Sequence, residues 1–214
     1  MKIIALEKPI SGIIFDIDQT LYDNREYYNS QKHLLLEKLA SVLNKSYNKT
    51  LNMLEDYQRE YAENNEGREQ SLGNCLLHFG IDFQQNISWR NELFKPENYL
   101  TYDKELNITL TILSNKCRIT AVTNNPVEIG KRTLKALGVD EFFLTVVGID
   151  TTGVSKPSII PFRKAANAMH LQFRDILTVG DRMEVDLEIP VKEGMNGILI
   201  RNVEDIYKLP EILG

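Results

Sequence analysis

The sequence predicts an α/β protein with a Rossmann-like parallel sheet, helices on both faces of that sheet, and an inserted helical segment. Short apolar runs rich in Ile, Val and Thr recur along the chain, as in strands that are covered on both faces. Stretches with helical spacing separate these runs, which is the order of elements in a parallel α/β sheet. Residues 25–95 contain no such run, and about 70 residues is too long for a crossover loop.

The first predicted strand covers residues 10–18, where an apolar run leads directly into Asp16 and Asp18. A continuous apolar run of this length, bounded by polar residues, is typical of a buried strand. Runs of the same kind predict four further strands, at 118–123, 144–149, 176–180 and 197–201.

Helical periodicity predicts the elements that connect these strands, at 103–116, 126–138, 158–170 and 186–195. The second of them has Pro126 in its first turn and Gly138 at its end, which are the residue types favoured at those two positions.

The inserted segment reads as helical throughout. Amphipathic patterns predict helices at 29–44, 48–65 and 68–80. We therefore expect two parts, an α/β core formed by residues 1–24 and 96–214 and a small helical subdomain formed by residues 25–95, lying over the sheet.

Composition excludes several classes of function. The net charge is −5, which predicts no broad basic surface for a nucleic-acid polymer or an anionic membrane. The apolar run near the N-terminus ends at Glu7 and is too short for a signal peptide, so we expect a cytoplasmic protein. Cys75 and Cys117 lie far apart and are expected to be free thiols. The sequence leaves open whether the protein is a monomer or a homodimer.

The residues that can carry chemistry share one position, because each lies at or just beyond the carboxyl end of a predicted strand, where open α/β sheets place their sites. They are Asp16, Asp18, Thr123, Asn124, Lys156, Asp181 and Asp186.

Several carboxylates in one crevice need a counter-charge. Two of them about 4 Å apart repel by roughly 4 kcal/mol at an effective dielectric near 20. Oxygen ligands without Cys or His favour a hard divalent cation, and Mg²⁺ is the natural choice. Lys156 adds a positive charge, so the site is expected to attract an anion, with phosphate as the leading candidate.

The Asp-x-Asp spacing suggests a division of labour. Asp16 can attack phosphorus as a nucleophile, while Asp18 can protonate the leaving oxygen and later deprotonate a water. If Asp18 lies in the turn after the strand, its backbone carbonyl is available to the metal.

Four segments resemble, in order, the four motifs of the haloacid dehalogenase-like (HAD) superfamily: "FDIDQTLY", "ITAVTNN", "SKPS" and "VGDRMEVD". The resemblance implies the HAD fold, a helical C1 cap over residues 25–95, and an aspartyl-phosphate formed on Asp16. One departure is Gln19, which stands where Asn or Gly is commoner.

The resemblance also implies roles for the remaining residues. Thr123, with a backbone amide near Asn124, would hold the phosphoryl oxygens, and Lys156 would bridge Asp16 and the phosphate. Asp181 would be an acidic Mg²⁺ ligand. Asp186 would lie outside the direct metal ligands or would bind the metal through a water molecule.

We therefore predict a Mg²⁺-dependent phosphomonoesterase that acts on a small phosphometabolite. "FDIDQTLYDN" before a compact helical segment also resembles the pyrimidine 5′-nucleotidase-like branch, which suggests a nucleoside monophosphate. Three alternatives stay open: a phosphomutase, a dehalogenase on the same scaffold, and a catalytically silent binding or regulatory protein. Dehalogenation is disfavoured, because a halide leaves without a proton and the reaction needs no metal. It would therefore give no role to Asp18 and Asp181.

Overall fold

The computed structural model describes residues 1–7, 9–65, 67 and 70–214. The chain divides into two compact units. The core unit comprises Met1–Arg25 and Lys95–Gly214, and the helical unit comprises Glu26–Phe94.

The core unit contains a six-stranded sheet with the strand order β1-β6-β5-β2-β3-β4. All neighbouring strands are parallel except β1, which runs antiparallel to β6. The predicted α/β fold is thus confirmed, with a sheet that is mostly parallel. The strands are Lys2–Ala5 (β1), Gly12–Phe15 (β2), Arg118–Val122 (β3), Phe143–Val147 (β4), Ile176–Gly180 (β5) and Asn196–Leu199 (β6).

Strand β2 lies in the middle of the sheet, where Phe15 pairs with Ala121 of β3 and with Val179 of β5. Its residues Ile13 and Phe15 are fully buried. Because these three strands are parallel and in register, the residues that follow them meet at one edge of the sheet.

The predicted extent of this strand, 10–18, was wrong at both ends. Pairing ends with a bond from the Asp16 amide to the Val179 carbonyl, at 2.9 Å. The chain then folds into a turn in which the Leu21 amide donates to the Ile17 carbonyl at 2.9 Å. Gln19 has a positive φ of 60° in this turn, a conformation that Gly and Asn adopt more easily than Gln.

Strand β1 was not predicted. It is a short edge strand, in which Ile3 is 50% exposed. Its apolar run, residues 3–6, is shorter than the segments that predicted the other strands. The antiparallel direction of β1 also departs from the purely parallel sheet that we expected.

The described residues of the helical unit form four helices, and their packing includes a cluster of Leu36, Leu54 and Cys75. A fourth helix that was not predicted begins after Asp82, whose carboxylate accepts from the Gln85 amide at 2.8 Å. Of the predicted helix 68–80, Arg68 and Glu69 lie outside the described residues. The helices are Arg25–Leu43 (α1), Tyr47–Asn64 (α2), Leu72–His78 (α3) and Phe83–Leu93 (α4).

The described residues of the core unit form seven α-helices, three short 3-10 helices and a π-helical turn at Met183–Leu187. The predicted helix 186–195 was wrong in extent, since that turn precedes it and α9 is short. The helices are Lys104–Ser114 (α5), Val127–Leu137 (α6), Ile149–Thr152 (α7), Ile159–Met169 (α8), Glu188–Lys192 (α9), Val203–Ile206 (α10) and Leu209–Leu213 (α11).

Both faces of the sheet are buried. Ile14 packs with Phe162 and Met169 of α8 in one cluster. Side chains alternate along a strand, so Ile13 and Phe15 point to the opposite face, where they are also fully buried. Such double coverage explains why the strands appear in the sequence as continuous apolar runs.

No helix in the described part of the chain is long and apolar enough to cross a membrane. Cys75 and Cys117 are both free and buried. Burial raises the pKa of the Cys75 thiol to about 11, so this thiol is protonated near neutral pH.

The packing of α6 on the sheet generates a stability prediction. A Cβ at Gly130 would lie 2.8 Å from Val146 Cγ1 and 3.2 Å from Ile17 Cδ1. In an ordinary helix interior, Gly→Ala stabilises by about 1 kcal/mol. Here Gly130→Ala should instead lower the free energy of unfolding by roughly 1–3 kcal/mol, because the added methyl group overpacks the interface. Urea unfolding measures the change.

Asn167→Ala is the matched control, because Asn167 is exposed in the last turn of α8. This variant should be neutral or stabilising by up to about 0.7 kcal/mol. A gain in stability from Gly130→Ala would contradict the close packing described here.

Candidate active site

The carboxyl end of the sheet brings three carboxylates together. Asp16 follows β2, Asp181 follows β5, and Asp186 lies in the π-helical turn. Each offers one oxygen, and these oxygens all lie within 4.8 Å of one another. Asp16 is 4% and Asp186 1% exposed, so their mutual repulsion is only weakly screened by water.

Lys156 supplies the counter-charge. Its Nζ donates to Asp16 Oδ1 at 2.5 Å and to Asp186 Oδ1 at 2.6 Å, and the residue is 2% exposed. Burial alone would lower the pKa of Lys156, but the negative charges of Asp16 and Asp186 outweigh that effect and raise it above its usual value. Lys156 is therefore cationic at physiological pH.

The position of Lys156 depends on Asn124, the second residue after β3. Asn124 Oδ1 accepts from the Lys156 amide at 2.7 Å, and Asn124 Nδ2 donates to the Lys156 carbonyl at 3.2 Å. A side-chain amide that satisfies both backbone groups of one residue holds that residue in place. The Asn124 side chain thus anchors the lysine loop to the end of β3.

The position of Asp186 depends on a glycine in β5. A Cβ at Gly180 would lie 2.4 Å from Asp186 Cβ and 2.7 Å from its Cγ, so no other residue type fits without displacing Asp186. Asp186 Oδ2 also accepts from the Arg182 amide at 3.1 Å, and its carbonyl accepts from Thr178 Oγ1 at 3.1 Å.

Asp181 is the most accessible of the three acids, with its side chain 22% exposed. Partial burial, together with the charges of Asp16 and Asp186, raises the pKa of Asp181 to about 7. The nearby Arg182 guanidinium, 3.8 Å away, opposes this shift without cancelling it. Asp181 is therefore easier to protonate than an exposed aspartate, first because it is partly buried and then because two other carboxylates lie near it.

Asp18 lies in the turn after β2 and has a different set of partners. Asp18 Oδ1 accepts from the Tyr22 hydroxyl at 2.6 Å. Asp18 Oδ2 accepts from Asn125 Nδ2 at 3.0 Å and from Thr123 Oγ1 at 3.3 Å. The two acids of the Asp-x-Asp pair therefore occupy distinct surroundings, one beside an ammonium and one among neutral donors.

Thr123 has its hydroxyl turned toward Asp18, and the same oxygen accepts from the Asn125 amide at 3.0 Å. Thr20 lies on the other side of Asp16 and donates to Asp16 Oδ2 at 3.0 Å, with Asp181 Oδ1 3.5 Å away. Thr20 thus ties the turn after β2 to the acid that follows β5.

Three residues of this site were not assigned from the sequence: Thr20, Tyr22 and Asn125. Thr20 and Tyr22 stand in the quoted segment "FDIDQTLY", four residues after Asp16 and Asp18 respectively. One turn of tightly wound chain brings residues four apart together, which is a usable signal. Asn125 could not be identified as a site residue from the sequence, because nothing there distinguishes its side chain from that of Asn124.

The three carboxylates fit a divalent cation by their chemistry. They are oxygen ligands alone, as Mg²⁺ prefers, and one oxygen from each lies within 4.8 Å of the others. Asp186 belongs to this group although both of its oxygens already accept hydrogen bonds. Whether Asp18 offers its backbone carbonyl to a metal stays a prediction.

A family model described as haloacid dehalogenase-like hydrolase matches residues 13–200. The Escherichia coli K12 protein 5-amino-6-(5-phospho-D-ribitylamino)uracil phosphatase YigB is 26% identical to this chain. The alignment covers 90% of this chain and 84% of that protein.

Two solved structures resemble the fold. A HAD phosphatase from Thermococcus onnurineus matches with a TM-score of 0.69 at 19% identity, covering 96% of this chain and 98% of that one. A 2-haloacid dehalogenase from Pseudomonas syringae pv. Tomato DC3000 matches with a TM-score of 0.61 at 20% identity and the same coverage. At these identities the likeness concerns the fold alone, so the reaction must be argued from the site.

The buried ion pairs generate a second stability prediction. Lys156→Met leaves Asp16 and Asp186 without their counter-charge and should lower the free energy of unfolding by about 3–5 kcal/mol. A raised lysine pKa gives a contribution that is complete below the unfolded value and is lost only as pH rises through the folded value. The effect of Lys156 should therefore persist from about pH 6 to 9, as urea unfolding at several pH values can check.

Lys38→Met is the matched control, because Lys38 forms an exposed pair with Glu92 at 3.0 Å. Its loss should cost about 0.2–1 kcal/mol at most. Equal effects of the two substitutions would show that the Lys156 pairs are not the buried contacts described above.

Proposed function

The chain belongs to the haloacid dehalogenase-like hydrolase family, and we propose that it is a Mg²⁺-dependent phosphomonoesterase that forms an aspartyl-phosphate on Asp16. The observation that carries the proposal is the contrast between Asp16 and Asp18. Asp16 is paired with an ammonium, as suits a charged nucleophile. Asp18 accepts from the neutral groups of Tyr22, Thr123 and Asn125. Two of these donors are hydroxyls, which can reorient when the carboxyl group gains or loses a proton.

In the first step, a carboxylate oxygen of Asp16 attacks phosphorus and the bond from phosphorus to the ester oxygen breaks. Asp18 gives its proton to the departing oxygen, so the alcohol leaves neutral. In the second step, Asp18 takes a proton from water, the water oxygen attacks phosphorus, and the bond to Asp16 breaks. Inorganic phosphate leaves, and both aspartates return to their starting protonation states.

Lys156, Thr123 and a backbone amide near Asn124 would hold the phosphoryl group. Lys156 lies 2.5 Å from Asp16 and is the nearest fixed cation to a group attached there. Thr123 can turn its hydroxyl proton from Asp18 to a phosphoryl oxygen. The backbone amide near Asn124 is proposed as a further donor, while the Asn124 side chain keeps the lysine loop in place.

Mg²⁺ would be held by Asp16, Asp181 and the backbone carbonyl of Asp18. When bound, it would supply positive charge for the phosphoryl oxygens and neutralise the carboxylates. Asp186 accepts from both Lys156 and the Arg182 amide, so we assign it to orienting the lysine and to acting on the metal from outside the direct ligands.

The proposed substrate is a small phosphorylated metabolite, and a nucleoside monophosphate is one candidate. We further propose that the helical unit Glu26–Phe94 is the cap that selects it. The relative named above as a phosphatase of a ribityl-uracil phosphate supports including such compounds, together with nucleotides and sugar phosphates, in a substrate panel.

Dehalogenation is the reaction to be separated from this one, because the fold accommodates both. A halide leaves without needing a proton, so that reaction gives no role to the proton-transfer function proposed for Asp18. The concentration of acids around Asp181 also favours chemistry that uses a metal.

The first functional prediction is hydrolysis of p-nitrophenyl phosphate in the presence of Mg²⁺. EDTA and Asp16→Asn should each reduce the rate by about 10³-fold or more, because one removes the metal and the other the nucleophile. Release of p-nitrophenol measures the rate, and circular dichroism checks that Asp16→Asn is folded.

Two results would contradict this assignment. Full activity of Asp16→Asn would exclude Asp16 as nucleophile. Release of chloride from 2-chloropropionate, without phosphatase activity, would establish the alternative reaction.

The second functional prediction concerns pH and the metal. Below pH 7 a proton on Asp181 competes with Mg²⁺, so a pKa of about 7 predicts roughly tenfold weaker Mg²⁺ binding at pH 6 than at pH 8. Without the metal, the raised pKa of Asp181 contributes stability that is lost as pH rises through that pKa. Mg²⁺ binds the deprotonated carboxylate and therefore binds more tightly at pH 8. It should raise the melting temperature more at pH 8 than at pH 6.

Asp181→Asn provides the control, since it should bind Mg²⁺ more weakly and lose most of this pH dependence. Calorimetric titration with MgCl₂ at both pH values measures the affinities. Equal affinities of the unsubstituted protein at pH 6 and pH 8 would exclude Asp181 as a direct ligand.

A further inference from the structure

Tyr22 is placed to hold Asp18 in a fixed orientation. Its hydroxyl donates to Asp18 Oδ1 at 2.6 Å, a shorter bond than those from Asn125 and Thr123 to the same carboxylate. The tyrosine is 4% exposed, so its ring is packed and its hydroxyl cannot swing away freely. Tyrosine has few rotatable bonds, which makes it a stiff support for a partner.

Asn125 reaches the same carboxylate from a different element. Its Nδ2 donates to Asp18 Oδ2 at 3.0 Å, and the residue is 4% exposed. Its backbone is anchored on both sides, because its amide donates to Thr123 Oγ1 at 3.0 Å and its carbonyl accepts from the Ile149 amide at 3.1 Å.

The glycine before α7 lets these backbones approach. A Cβ at Gly148 would lie 2.7 Å from the Asn125 carbonyl oxygen and 2.5 Å from the Val127 amide nitrogen. Any larger residue would push the segment after β3 away from α7. The direction of the Asn125 side chain therefore depends on the close approach of these two backbone segments.

We propose that Tyr22 and Asn125 are positioning residues that fix the two carboxyl oxygens of Asp18 for proton transfer to the leaving oxygen. This inference rests on the proposed function, in which Asp18 is the proton carrier. Each residue controls a different oxygen, so together they restrict rotation of the carboxyl group about its bond to Cβ. Thr123 cannot replace them, because its hydroxyl is also required by the phosphoryl group.

If these residues position Asp18, the rate lost on their substitution should depend on the basicity of the leaving oxygen. A basic leaving oxygen needs a proton as its bond to phosphorus breaks, whereas a weakly basic one does not. Phenyl phosphate and p-nitrophenyl phosphate have nearly the same shape and differ in this property. The ratio kcat/KM covers the steps up to and including departure of the leaving group, because that departure is irreversible when no product alcohol is present.

Tyr22→Phe tests the proposal, since it keeps the buried ring and removes the hydroxyl. It should lower kcat/KM for phenyl phosphate about tenfold more than for p-nitrophenyl phosphate. Equal losses on the two substrates would overturn the role of Tyr22, because a general loss of structure lowers both alike. Asn125→Ala, measured in the same way, gives an independent result for the second residue.

Tyr207→Phe is the matched control. The Tyr207 hydroxyl donates to Asp103 Oδ2 at 2.8 Å, so this variant also removes a tyrosine–aspartate hydrogen bond of the core unit. It should leave the ratio between the two substrates unchanged. A change as large as that of Tyr22→Phe would overturn the proposal, because it would show that the effect is not specific to Asp18.

Asp18→Asn separates failure of the inference from failure of the proposed function. If Asp18→Asn does not penalise phenyl phosphate selectively, Asp18 is not the proton donor and the proposed function is wrong. If Asp18→Asn does so and Tyr22→Phe does not, only the positioning role fails. In the Asp18→Asn background, Tyr22→Phe should cause no further selective loss, since its partner is already absent.

Discussion

Lys156 carries one positive charge into the space between Asp16 and Asp186, and all three side chains are almost completely buried. Buried charges are stable only when they are paired with good geometry. This requirement explains several features that would otherwise be unrelated. Asn124 clamps the backbone of the lysine loop, and Gly180 leaves the space that Asp186 fills. Displacing either support would leave a charge without its partner.

The turn after β2 then gives the two acids of the Asp-x-Asp pair different surroundings. β2 ends at Phe15, so Asp16 stays at the tip of the sheet beside Lys156 while Asp18 lies in the turn and meets neutral donors. Two carboxyl groups with separate roles need environments that differ in charge. In the proposed mechanism, the ammonium favours the nucleophile, and the neutral donors orient a group whose charge changes twice in each cycle.

Much of the fold could be predicted because it depends on burial. β5 was predicted with its observed bounds, since both of its faces are covered and all five of its residues are buried. β1 was missed because its apolar run, residues 3–6, is short, as is usual for an edge strand. The residues that follow the strands could be named as site residues, since a parallel sheet gathers them at one edge. The links between them could not be predicted, because Tyr22 and Asn125 act through the direction of a side chain. Helical and strand periodicity say nothing about that direction in a turn.

The central claim, that phosphate passes through a covalent bond to Asp16, is tested most directly by finding that bond. The Asp18→Asn variant should accumulate the phosphoenzyme, because water is not deprotonated efficiently. The substrate should be p-nitrophenyl phosphate, whose weakly basic leaving group departs without a proton from residue 18. Quenching the variant after mixing with this substrate and Mg²⁺, reducing with borohydride and sequencing the peptides by mass spectrometry identifies the modified residue. We expect homoserine in place of Asp16, the product of reducing an acyl phosphate. Turnover that leaves Asp16 unmodified while another residue carries the phosphoryl group would contradict the account.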